Sequence, residues 1–376
     1  MSFVQRTTRG FGSPGKYIQG PGEMDRLEQY TSAFGFNVVV LIDSYLFDTI
    51  SERLRKVYEH TASKLHMEKF SGECTLKEIE RITKTAEKCK SSVIVGIGGG
   101  KTQDTIKAAG AGLKIPIICV PTVASTDAPT SALSIIYTDE GVQTHCIYHK
   151  INPNVVLVDT EIIVKAPVRL LVSGMGDALS TYFEARANAE SDTANYVGSG
   201  YRRTEAAMAL ARLCYEILID EGLEAKLTAE RGVITKALED VIEANILLSG
   251  LGFENTGCAA GHAVNEGFAL IPETHGFYHG EKVAFGTICQ LILENRPKYE
   301  VEEVIKFCLS VGLPVTLQDL HIRPSFENLM IVANKVAMEG GLAHAEPFRV
   351  TPEIIYNSIA AADVLGGYYK ELYKNQ

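Results

Sequence analysis

The stretch Ser92-Val93-Ile94-Val95-Gly96-Ile97-Gly98-Gly99-Gly100-Lys101-Thr102 decides how the first half of the chain folds. Its apolar half shows no alternation, as expected of a parallel strand covered on both faces by helices. Three glycines then allow a tight turn, and residues 101–112 carry a helical pattern. A strand, a glycine turn and a helix in this order bring unpaired backbone N–H groups and a partial positive charge to one point, which suits a phosphate. The same residues would also serve a tight turn with no ligand. Two familiar motifs are absent: the first glycine of a Walker A loop would fall at Val95, and a GxGxxG fingerprint breaks at Lys101.

Similar apolar runs flank this stretch. Val38-Val39-Val40-Leu41-Ile42 ends at Asp43, Pro116-Ile117-Ile118-Cys119-Val120 ends at Pro121-Thr122, and Val155-Val156-Leu157-Val158 follows. Helical segments such as 76–90 lie between them, so residues 1–165 are expected to form an α/β domain with an open parallel sheet. Beyond Pro167, apolar residues recur at three- and four-residue spacing over 204–219, 228–250, 281–294, 300–311 and 327–338. Residues 166–376 therefore read as an all-helical domain.

Composition narrows the function. The chain has 376 residues, enough for two domains, with 46% hydrophobic and 22% charged residues, and so belongs among folded proteins. Lys and Arg number 36 against 46 Asp and Glu, a net charge of −10, and no basic patch stands out. That balance disfavours nucleic acid and anionic lipid as partners. The eight cysteines are scattered singly, without a CxxC pair, which fits unpaired thiols in a reducing compartment. No signal-peptide pattern opens the chain and no apolar run is long enough to span a membrane, so a cytoplasmic location is expected.

Several residues are placed to do chemistry. Asp43, at the end of a strand, could accept hydrogen bonds from a ribose, favouring NAD over NADP, or could cap the helical stretch that follows. The segment Pro121 to Ser131 sets five hydroxyls and Asp127 beyond a strand's carboxyl end, where open α/β sheets bind ligands. In the second half, Gly174-Met175-Gly176-Asp177 enters a helix, His262 closes a small-residue helical stretch from Gly257, and His275 and His279 precede a further helix. Imidazole and carboxylate suit a divalent ion such as zinc, although the spacing of these residues is not diagnostic. HExxH is absent.

Four segments, taken in order, bear a family likeness: Gly96 to Thr105, Pro121 to Ser131, Gly250 to Glu254 and His279 to Gly286. Together they resemble the glycerol dehydrogenases of the iron-containing (group III) alcohol dehydrogenase superfamily. The resemblance implies a Rossmann-like N-terminal domain, an all-α C-terminal domain and an active-site cleft between them. It implies zinc ligands at Asp177, His262 and His279, and cofactor contacts at Asp43, Gly98, Gly99, Gly100, Lys101, Thr122, Ser125, Ser131, Leu133 and Tyr137. Asp127, Phe253 and His262 would border the substrate, with His275 as a relay beside the catalytic Asp127 and His262. The implied reaction is reversible, NAD-dependent oxidation of glycerol to dihydroxyacetone. Homo-oligomers, commonly octamers, are also implied.

One position departs from the iron-type pattern. A histidine expected four residues after the aspartate is Thr181 here, which leaves three protein ligands and favours zinc over iron. Other readings remain: a dehydrogenase of related 1,2-diols, an enzyme for anionic substrates such as a glycerol-phosphate dehydrogenase or a dehydroquinate-synthase-like lyase, or an NAD-binding sensor without catalysis. The anionic readings call for Lys and Arg around the ligands, where Lys282 is the main cation.

Overall fold

The computed structural model describes residues 8–374. Two compact units divide it: residues 12–167, and residues 168–374 together with residues 8–11. The latter four depart from the expected 1–165 grouping. Gly10 N donates to Arg202 O and Arg202 N to Thr8 O, so backbone pairing binds this short stretch to the helical unit.

The α/β unit is built on a six-stranded parallel sheet. Its strands are β1 (Tyr17–Gly20), β2 (Asn37–Ile42), β3 (Lys64–Lys69), β4 (Val93–Gly98), β5 (Ile117–Pro121) and β8 (Val155–Asp159). A separate antiparallel hairpin is formed by β6 (Leu133–Tyr137) and β7 (Gln143–Tyr148). The order across the sheet is β1-β8-β5-β4-β2-β3, with Val39 opposite Ile94 and Gly96 opposite Cys119. The apolar runs expected from the sequence are the four inner strands. Their residues Val38, Val40, Ile42, Val95, Ile97, Ile118, Val120 and Leu157 pack with Met24, Leu27, Ile50 and Leu54 into one core.

Crossover helices are α1 (Phe47–Val57), α2 (Leu76–Lys88) and α3 (Gly100–Leu113). From β2 the chain passes through α1 to β3 at one edge, whereas from β4 it passes through α3 toward β5 in the opposite direction. The carboxyl ends of β2 and β4 thus flank a topological switch point, the place where such sheets bind ligands. Asp43 and the three glycines sit there.

The second unit is helical. It contains α4 (Val168–Ser191), α5 (Glu205–Ala229), α6 (Lys236–Glu243), α7 (Ser249–Thr256), α8 (Ala260–Phe268), α9 (His279–Leu293), α10 (Lys298–Val311), α11 (Phe326–Val336) and α12 (Pro352–Tyr373). Three expectations shift. Gly174 to Asp177 lie well inside α4 and do not open it. The expected helix over 228–250 starts only at Lys236, where Thr235 accepts from Leu238 N, and continues through a π turn (Ala244–Leu248) into α7. The stretch from Gly257 becomes helical at Ala260 because Gly257 takes φ +112°, outside the helical region. Among the described residues no helix is long and apolar enough to cross a membrane.

Leu157 is wholly buried on an inner strand. Leu157→Ala is expected to lower unfolding stability by about 2–5 kcal/mol, read by denaturant titration, because a packed strand core collapses little around the lost volume.

Candidate metal centre

Asp177 sits on α4, His262 in the first turn of α8 and His279 at the first position of α9. Two close contacts bring these elements together. Where α4 meets α9, a Cβ on Gly280 would lie 1.8 Å from Ser173 O, and one on Gly176 would lie 2.3 Å from Gly280 O. Only paired glycines allow this approach, and their chain neighbours are Asp177 and His279. The start of α9 is held further by Glu281, which accepts from Tyr278 N at 2.7 Å and takes a bidentate pair from Arg169 at 2.6 and 2.8 Å.

The contact between α4 and α8 is made by Glu184, two turns along α4 from Asp177 and fully buried. Its Oε1 accepts from Ala259 N at 2.9 Å and His262 N at 2.8 Å, capping the start of α8 from a neighbouring helix. Its Oε2 lies 2.7 Å from His262 Nδ1. A carboxylate at Nδ1 keeps the proton on that nitrogen and leaves Nε2 as a lone-pair donor. His279 is held from α8, where the Asn265 side-chain nitrogen lies 3.2 Å from its Nδ1.

The remaining nitrogens converge. His279 Nε2 is 3.0 Å and His262 Nε2 3.4 Å from Asp177 Oδ1, and the three ligand atoms lie within 4.8 Å of one another. Ligands at about 2.1 Å from a tetrahedral ion stand about 3.4 Å apart, so this spacing is compatible with a divalent ion held by all three. Asp177 Oδ1 is buried and makes no hydrogen bond of proper geometry despite its two near neighbours, an arrangement that an ion would complete. Burial alone would raise the Asp177 pKa, but His279 and His262 outweigh it and hold the carboxyl below its ordinary range. For His262, burial disfavours the charged form, yet the Glu184 carboxylate and Cys258 outweigh that and raise its pKa.

The α/β unit offers a second set of groups. Asp43 N donates to Ile97 O at 2.8 Å, which fixes the ends of β2 and β4 side by side. The carboxylate of Asp43 accepts from Tyr45 N at 2.9 Å in a local turn, while α1 begins only at Phe47 without a side-chain cap. The helix-capping alternative is therefore not what Asp43 does. At Gly98 a Cβ would strike Thr102 Oγ1 at 2.5 Å, so packing alone demands that glycine. Gly99 and Gly100 differ: a Cβ on Gly99 would meet Val123 Cγ2 at an ordinary 3.7 Å, whereas one on Gly100 would press on Thr126 Oγ1 at 3.2 Å, where the loop after β5 comes close to the start of α3.

Other expected residues are distributed around this turn. Thr122 is buried and its N donates to Gly98 O at 3.2 Å. Ser125 and Asp127 are half-buried in the following loop, where Asp127 O accepts from Thr130 N and Oγ1. Ser131 is buried and contacts Lys107, while Leu133 and Tyr137 lie on β6. Lys101 Nζ bonds Glu73 at 2.6 Å and stands 4.9 Å above the Tyr137 ring.

Residues 14–160 match the iron-containing alcohol dehydrogenase family. The glycerol dehydrogenase of Citrobacter freundii is 47% identical over 94% of this chain and 97% of its own length. Among solved structures, a probable glycerol dehydrogenase from Sinorhizobium meliloti superposes with a TM-score of 0.91 at 45% identity, covering 96% of this chain and 100% of that one. The glycerol dehydrogenase of Schizosaccharomyces pombe superposes at 0.93 with 36% identity, covering 98% and 93%. The chain belongs to the glycerol dehydrogenase family, within the iron-containing alcohol dehydrogenases.

As a member of that family it is an oxidoreductase with an α/β N-terminal part and a helical C-terminal part. At the departure from the iron-type pattern, the Thr181 hydroxyl lies 3.1 Å from Ser249 Oγ, and a Cβ on Gly252 would lie 2.2 Å from the Thr181 methyl. Thr181 is thus buried against Ser249 and Gly252 and offers no imidazole to the cluster. His275 is exposed, with Nε2 3.1 Å from Ala269 O, and is not part of the Asp177–His262–His279 cluster. Phe253 packs near Tyr196, with ring centroids 6.3 Å apart. Sequence reasoning missed Glu184 and Asn265. Glu184 could have been found from its seven-residue spacing from Asp177, which keeps both on one helix face.

Gly280→Ala should push α9 off α4. The expected result is a lower melting temperature together with loss of bound metal per protomer, read by elemental analysis. Metal affinity of the unaltered protein should also rise with pH, because the raised pKa of His262 means that its Nε2 proton must leave before that nitrogen can bind an ion, while Nδ1 keeps its proton against Glu184. Isothermal titration at several pH values checks this.

Proposed function

We propose that this family member is an NAD-dependent zinc enzyme that reversibly oxidises glycerol at its secondary carbon to dihydroxyacetone. The observation that carries the reading is the convergence of Asp177 Oδ1, His262 Nε2 and His279 Nε2 in a chain 47% identical to a relative named glycerol dehydrogenase. Zinc in preference to iron is supported by Thr181, which stands where a fourth imidazole ligand would and turns its hydroxyl to Ser249. Three protein ligands leave a position for substrate.

When bound, the divalent ion supplies Lewis acidity that lowers the pKa of a substrate hydroxyl, and NAD supplies the hydride acceptor. The protein's own groups do the rest. Glu184 keeps His262 in the tautomer with Nε2 free of a proton, and Asp177 stays ionised at neutral pH. Gly99, Gly100 and the first N–H groups of α3 would cradle the pyrophosphate, with Asp43 accepting from the ribose and excluding a 2′-phosphate. Gly98, Lys101, Thr122, Ser125, Ser131, Leu133 and Tyr137 would shape the remaining cofactor contacts. Asp127 would hold substrate hydroxyls, Phe253 would border the carbon chain, and His275 would serve as a relay at the exposed side.

A homo-oligomer in the cytoplasm completes the reading. In its support, α12 exposes Val364, Leu365, Tyr368 and Leu372 along one face, and no disulfide joins the cysteines among the described residues. The test couples metal analysis to NADH absorbance over glycerol, 1,2-propanediol and glycerol phosphate. Glycerol is expected to be oxidised and its phosphate refused. Asp177→Asn should abolish turnover while NAD still binds. Full activity after exhaustive chelation would overturn the metal's role.

A further inference from the structure

Lys107, on α3, is among the largest fully buried side chains of the protein, at 1% exposure. A lysine is rarely placed there unless its charge and donors are all used. Here they are. Nζ donates to Ala128 O at 2.7 Å and to Ser131 O at 3.3 Å, stands 3.4 Å from Ser131 Oγ, and pairs with Asp104 Oδ1 at 2.9 Å. Three N–H groups are matched by these acceptors, so the ammonium has no spare proton to offer a substrate. What it grips is the hydroxyl-rich loop.

Asp104, one turn earlier on the same helix, holds the continuation of that loop. Its Oδ2 accepts from Ile135 N at 3.1 Å, and its backbone carbonyl accepts from Ser134 Oγ at 2.8 Å. Ser134 Oγ lies 2.8 Å from His149 Nε2, whose pKa burial lowers to about 4. A buried polar network thus ties α3 to residues 128–135. The other side of the loop faces the glycine turn, where Thr126 Oγ1 and Ala128 Cβ stand 3.2 and 3.5 Å from the site of a Cβ on Gly100. A shift of the loop would alter the room over that turn and move Asp127, the neighbour of Ala128.

We propose that Lys107 is a positioning residue: from below, its ammonium sets the path of the Thr122–Ser131 loop over the glycine turn and thereby sets the cofactor and substrate contacts the loop makes. The proposal rests on the dehydrogenase reading above for what those contacts bind, but not for the existence of the clamp. If packing were the whole task, an apolar side chain of similar length would do as well. The carbonyls of residues 128 and 131 take donors from the lysine, and the Ala128 carbonyl has beside it only a longer contact from Ser131 Oγ at 3.4 Å.

The test compares Lys107→Met, Asp104→Asn and the double variant in the full-length protein. Lys107→Met leaves a buried carboxylate without its partner, so it should melt earlier; Asp104→Asn in the same chain removes that charge and should restore most of the melting temperature. The clamp predicts that the double variant still shows faster amide hydrogen exchange over residues 125–135 and a KM for NAD and for polyol raised at least about tenfold, with kcat changed less. Recovery of KM and exchange together with melting temperature would overturn the proposal, since the pair would then serve stability alone. If the unaltered protein neither binds NAD nor oxidises polyols, the dehydrogenase reading fails, and the exchange measurement alone still decides whether Lys107 holds the loop.

Discussion

A buried carboxylate, Glu184, is the interaction on which the cluster of Asp177, His262 and His279 depends. It ends one helix's isolation from the next by capping α8 with one oxygen and fixing an imidazole with the other. Such a group would be costly in a dry interior without these donors, and with them it becomes an orienting device. The glycine contact between α4 and α9 does the complementary work at the backbone level. One tie fixes a ring and the other fixes the distance between helix axes. Together they bring three side chains from three helices, separated widely in the sequence, within a few ångströms.

The α/β unit solves a different problem by similar means. Its ligand-facing end is a set of loops, and loops are the least constrained part of such a fold. Order is imposed on them from beneath by polar groups that the strands and α3 carry into the interior. Asp43 N on Ile97 O aligns two strand ends, and the pair of Asp104 and Lys107 supports the long segment that follows β5. Packing forms the sheet, while buried polar contacts arrange its rim.

Much of this was legible in the sequence where the chemistry is local. The four inner strands are continuous apolar runs, and a run buried on both faces has no other common explanation. The edge strands β1 and β3 were not legible, since β1 is half-buried throughout, β3 mixes exposed and half-buried positions from Lys64 to Lys69, and neither offers such a run. Helix limits in the second unit slipped for local reasons too: Thr235 caps a helix whose apolar pattern starts earlier, and the positive φ of Gly257 interrupts another. Asp177, His262 and His279 could be named from their likeness to a family, and the structure brings them together. The partners that orient them were harder to name: the seven-residue spacing of Glu184 from Asp177 was its one signal, and Asn265 looks in the sequence like any polar residue on a helix. Their meaning lies in contacts made across 78 and 14 residues.

The hairpin of β6 and β7 leaves the chain between two strands that are themselves neighbours, since β5 pairs with β8 directly at Ile118–Val155 and Cys119–Val156. The ladder of the main sheet is therefore closed without it. Its tip, with Asp139, Glu140 and Val142 in solvent, can lengthen, shorten or be exchanged while the parallel register stays as it is. That makes the tip, as distinct from β6 with its Leu133 and Tyr137, a convenient point at which to graft a tag or reporter.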